Sequence, residues 1–226
     1  MIWKKRGIEM TAHTVEISPL IRARIVGILY LSLLPLSIFG VLFGGSSRPG
    51  IVSALLVQIV NIFVVLALYQ LLKPVNKNMA RLMVIFLLLG VPIAMLNELN
   101  QFAVLLLSSS ADSQRVFTAD QLHALVLLFT NLHDNGINIA GIFWGLWLFP
   151  MGYLVFKSGF LPRILGILLM IGCVGYLIQS FAAFLLPNLA VNIALFTFWG
   201  EVLFPLWLLI KGVNVEQWEK RARELV

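Results

Sequence analysis

Residues 131–163 read NLHDNGINIAGIFWGLWLFPMGYLVFKSGFLPR, and the organisation of the whole chain follows from this stretch. It opens on amides, His133 and Asp134, continues as an apolar run rich in Trp and Gly, and closes on Lys157 and the turn before Arg163. About 20 apolar residues, rising 1.5 Å each, cover the roughly 30 Å hydrocarbon layer of a bilayer. A run of that length, polar at one end and basic at the other, predicts a membrane-crossing helix. Polar groups that enter such a helix need partners inside the protein, so any pocket is expected against this segment.

The pattern recurs on both sides of it. Spans are expected at about 25–43, 51–72, 79–107, 164–186 and 189–210, with the fourth beginning between 121 and 136 and ending near 156. Composition agrees, since 60% of residues are hydrophobic and only 12% charged, about half the charge of a soluble domain. The expected fold is all-α: a polytopic membrane helical bundle of six transmembrane helices, one domain over residues 1–226. Residues 1–24 form a leader and residues 212–226 an amphipathic tail. The leader is too long for an ordinary signal-peptide n-region and no A-x-A site follows the first apolar run, so cleavage is not expected; Met10 is a second candidate start. Cys173, the single cysteine, leaves no intramolecular disulfide.

Orientation follows from where the cations fall. With six spans and the N-terminus inside, every Lys and Arg except Arg48 and Arg115 lies in a cytoplasmic segment. Changing the span count by one scatters them over both sides. Both termini are therefore expected in the cytoplasm, with the chain in the inner (plasma) membrane.

Depth can be counted at 1.5 Å per residue. Asn97, Glu98, Asn100 and Gln101 lie about 27 to 33 Å from the basic start of the third span, and His133 to Asn138 about 29 to 36 Å from Lys157. Both groups belong near the outer face, while the inner half is apolar. Asn131, Asn135, Asn138, Gly141 and Gly145 form one stripe on the fourth helix, and Gly90, Ala94, Asn97 and Gln101 one on the third. Stripes of small and amide residues let membrane helices approach and hydrogen-bond, so packing competes with ligand binding as their reading. His133 shares the opposite face with Ala140, Trp144 and Trp147, and points about 100° away from Asp134.

Glu201, in FWGEVLFP, sits about 15 Å from Lys211, close to mid-depth, where no Lys or Arg is available. A carboxyl there is expected to be uncharged and hydrogen-bonded to a group such as Asn61, or to carry a proton, cation or amine. Metal chemistry is not expected from three histidines and one cysteine, because His123 and His133 stand on different sides of one helix about 15 Å apart. No phosphate loop, nucleophile elbow, HExxH or CxxC is present.

Between His133 and Leu169, the order H-D-x-G, then G-L-W-L-F-P-x-G-Y-L-V, then S-G-F-L-P-R-x-L-G-x-L-L resembles the prokaryotic membrane family DUF4386. The resemblance runs from about Arg22 to Lys211. It implies a six-span integral membrane protein; it implies no substrate and transfers no catalytic residue.

The residues thus lead to an outward-facing polar cavity between the third, fourth and sixth helices that binds or passes a small amphiphile or cation. Asn97, Glu98, Gln101, His133, Asp134, Asn138 and Glu201 would line it, and Trp144 and Trp147 would wall it. A structural or regulatory membrane protein whose amides only pack helices is one alternative. A lipid-modifying intramembrane enzyme using His133, Asp134 or Glu98 as acid and base is another. No catalytic residue, metal, cofactor or nucleic-acid partner is assigned; membrane lipid is the expected surrounding.

Overall fold

A computed structural model describes residues 18–109, 115–186 and 193–224, and every regular element among them is helical. Helix α1 spans Pro19–Leu42, α2 Arg48–Leu72, α3 Lys77–Ser109, α4 Ala119–Ser158 and α5 Arg163–Leu185. The short α6 (Ala194–Thr197) leads into α7 (Trp199–Ile210), and α8 (Val215–Arg223) ends the described chain. Five of these, α1 to α5, are long and apolar enough to cross a bilayer, which makes this a multi-pass membrane protein.

Local chemistry sets the helix starts. Ser18 accepts a bond from the Ile21 N–H at 3.3 Å, and Ser47 one from Gly50 at 3.1 Å, each followed by a proline in the first turn. Thr118 and Gln121 form a capping box, so α4 begins at Ala119 and runs for 40 residues. The apolar pattern alone left that start open over four turns. Gly159, at φ 77°, ends α4 in the left-handed conformation that glycine tolerates best.

The sixth span departs from expectation. Within the described residues it is broken at Phe198, and the helix that follows is only 12 residues long; residues 187–192, where its start was predicted, lie outside the described chain. Two contacts flank the break. Gly200 lies against the backbone of Leu168 and Leu169 on α5, where a Cβ would come within 2.7 Å of main-chain atoms. Phe198 and Trp199 stack on one another at 5.0 Å at the break itself.

The long helices close into a ring in chain order: each of α1 to α5 touches the next, α5 touches α7, and α7 returns to α1. Glycines set the closest crossings. Gly27 lets α1 reach the backbone of α7 near Pro205 and Leu209, and Gly152 meets the Gly166 carbonyl between α4 and α5. At the end holding the start of α1 and the ends of α2 and α4, an apolar core fills the ring. Val26, Leu68, Met83, Met151, Leu169 and Phe204 are all buried in it. Helix α8 closes that end: Trp218 Nε1 donates to the Leu71 carbonyl at 2.8 Å, and the Arg22 guanidinium lies 5.8 Å from the Trp218 ring. Toward the other end the core gives way to cavities.

Candidate functional site

Two cavities adjoin inside the ring. The inner one, about 300 Å³, lies directly above the apolar core and draws its lining from α1, α2, α4, α5 and α7. The outer one, about 370 Å³, is bounded by α1 to α4. Ser37, Val57 and Gln58 line both. Gln58 is 6% exposed, and its Oε1 has no hydrogen-bond partner among the described residues.

The inner chamber is built around Glu201. The break at Phe198 puts this carboxyl in the first turn of α7, where the helix dipole favours negative charge; the Glu201 N–H itself donates to the Phe198 carbonyl at 2.8 Å. Pro205, four residues on, has no N–H to offer the Glu201 carbonyl, so this turn is open on its acceptor side. Tyr30 donates its hydroxyl to Glu201 Oε2 at 3.3 Å, and the Tyr176 hydroxyl also interacts with this carboxyl; Oε1 is buried and has no direct hydrogen bond among the described residues. Tyr176 from α5, Trp144 and Trp147 from α4, and Phe198 complete the aromatic wall. Tyr30 and Trp147 pack at 5.9 Å between centroids. The predicted partner Asn61 lines the same chamber, but the acid interacts with the hydroxyls of Tyr30 and Tyr176.

The outer chamber holds Glu98, Gln101 and His133. The His133 ring lies between two carboxylates, Nε2 at 3.5 Å from Glu98 Oε1 and Nδ1 at 3.6 Å from Asp134 Oδ1. Both separations exceed a good hydrogen bond, so these are ion-pair distances when the ring is protonated. Gln101 accepts a bond from Ser46 in the α1–α2 turn at 2.5 Å, which ties that turn over the chamber.

The predicted lining therefore divides. Glu98, Gln101 and His133 gather in one chamber and Trp144, Trp147 and Glu201 in the other, whereas Asn97, Asp134 and Asn138 line neither. Asn97 turns instead to α4 and donates to the His133 carbonyl at 2.8 Å; its side chain lies directly against Gly136, in the space a Cβ would occupy. The Asp134 side chain is 69% exposed. The small-residue stripe also divides, because Gly141 and Gly145 face Ser180 and Tyr176 on α5 rather than α3. The cavity face of α4 is the His133, Trp144, Trp147 face. Helices α1 and α2, absent from the predicted cavity, supply Tyr30, Ser37 and Gln58. Tyr30 and Tyr176 were legible as hydroxyl-bearing rings in the middle of apolar spans, away from the interfacial belts where such rings usually lie.

The pattern of the family described as "Domain of unknown function (DUF4386)" matches residues 42–212. The chain belongs to the DUF4386 family. The match takes in α2 to α7 and so both chambers' walls except for α1. The chain is also 34% identical over 185 residues to a protein of Archaeoglobus fulgidus named only as uncharacterized, a similarity covering 80% of this chain and 97% of that one. No solved structure matches.

Proposed function

We propose that this DUF4386 protein binds a small cationic or amphiphilic molecule in the paired chambers and holds or passes it across the inner membrane. The observation that carries the reading is Glu201: a buried carboxyl with only tyrosine hydroxyls against it, in an aromatic chamber that no Lys or Arg lines among the described residues. Six crossings with both termini cytoplasmic fit the chain best, α6 and α7 together forming the last. The basic segments then share the end closed by α8, and the Glu98–His133 end faces outward.

The test is native mass spectrometry of gently purified protein beside Glu201→Gln. A co-purifying small molecule present in the parent and lost in the variant supports the reading. A parent protein free of bound molecules, with unchanged thermal stability in Glu201→Gln, sinks it.

One observation favours a second reading. His133 and Glu98 converge in a cavity, the arrangement an acid–base pair needs, so a lipid-modifying reaction in the outer chamber is the alternative. Lipid turnover abolished by both His133→Ala and Glu98→Gln, and untouched by Glu201→Gln, would select it.

A further inference from the structure

We propose that the inner chamber is a site for a small primary ammonium ion, a free amine that carries no phosphate. The inference rests on the ligand-binding reading above and specifies its chemistry. Glu201 Oε1 and Gln58 Oε1 are both shielded acceptors without donors among the described residues, and both belong to residues lining this chamber. A ligand that satisfies them must donate hydrogen bonds. One that also neutralises a carboxylate in a low-dielectric setting must be a cation. Tyr30, Trp147, Tyr176 and Phe198 place aromatic rings around the same space, and such rings attract a desolvated cation.

Three alternatives fit worse. A quaternary ammonium suits the rings but has no N–H for either oxygen. An anion, or the phosphate of an aminophospholipid headgroup, would find no Lys or Arg among the described residues lining either chamber. A divalent metal ion would find a single carboxylate to offset its charge. Size sets the remaining limit, because about 300 Å³ is at the small end of ligand cavities.

The measurement is isothermal titration of the full chain in detergent micelles with four probes: n-butylammonium, tetramethylammonium, 1-butanol and O-phosphoethanolamine. Parent, Glu201→Gln, Gln58→Leu and the exterior control Asp120→Asn are compared, and a melting curve for each shows that it is folded. Butylammonium is expected to bind at least tenfold tighter than the other three. That affinity should fall at least tenfold in Glu201→Gln, fall about threefold in Gln58→Leu and stay unchanged in Asp120→Asn. Should Glu201→Gln fail to fold, the probe ranking together with Gln58→Leu still decides.

Equal binding of butanol and butylammonium, indifferent to Glu201→Gln, overturns the ammonium assignment while leaving a binding chamber. Tighter tetramethylammonium overturns the primary-amine assignment. Tighter O-phosphoethanolamine moves the source to a lipid headgroup and overturns the phosphate-free one. Silence from all four probes overturns the inference; the broader reading falls only if mass spectrometry also finds the protein empty.

Discussion

At the scale of the residue, glycines decide where polar side chains can sit. Asn97 reaches the backbone of α4 only because Gly136 has no Cβ. Gly136→Ala is therefore expected to lower stability by about 1–3 kcal/mol through forced overpacking, read as a drop in melting temperature in detergent. Gly45, whose Cβ would meet nothing closer than 3.6 Å, is the control: Gly45→Ala should melt within about 0.5 kcal/mol of the parent. Equal losses in both would refute the Asn97 contact as the cause. The hydroxyl on Glu201 belongs to the same scale. Tyr30→Phe keeps the ring against Trp147 and removes one hydrogen bond, so about 1 kcal/mol is expected to be lost with the fold retained.

At the scale of the element, α8 is held by few contacts. It has no buried residue, and the Trp218 indole bond to the Leu71 carbonyl is its principal polar anchor. Trp218→Phe removes that bond and keeps the aromatic ring. Trypsin cleavage at Lys220 and Arg221 should then speed several-fold while the bundle's melting temperature moves little, because an anchor worth about 1 kcal/mol shifts a local opening equilibrium by that order. Cleavage at the parent rate would mean that packing alone holds the helix. The break before α7 is an element-scale feature with a consequence at the site, since a continuous helix would carry Glu201 in its interior, away from a helix N-terminus.

At the scale of the molecule, the ring separates an apolar end from a chambered one. Two single-cysteine variants in a Cys173→Ala background test how that axis lies in the membrane. A membrane-impermeant thiol reagent added to intact cells should label Asp120→Cys and spare Lys220→Cys, and inverted vesicles should reverse the pattern. Labelling of both positions from one side would refute the six-crossing arrangement.

Much of this was decided by sequence alone. Helix content, membrane embedding and the clustering of cations toward one set of turns follow from periods, lengths and charges, which act locally along the chain, and the family from the resemblance of short motifs. So does the singling out of Glu201, because an acid in an apolar run is costly wherever its helix packs. Tertiary structure decided which polar groups meet. Asn97 and Gln101, one turn apart on α3, look equivalent in the sequence, yet one packs against Gly136 and the other lines a chamber. Tyr30 and Glu201 are separated by 171 positions, and no local pattern relates them. They meet because α7 closes the ring onto α1, and ring closure depends on glycine contacts between distant helices, which periodicity within a single helix does not encode.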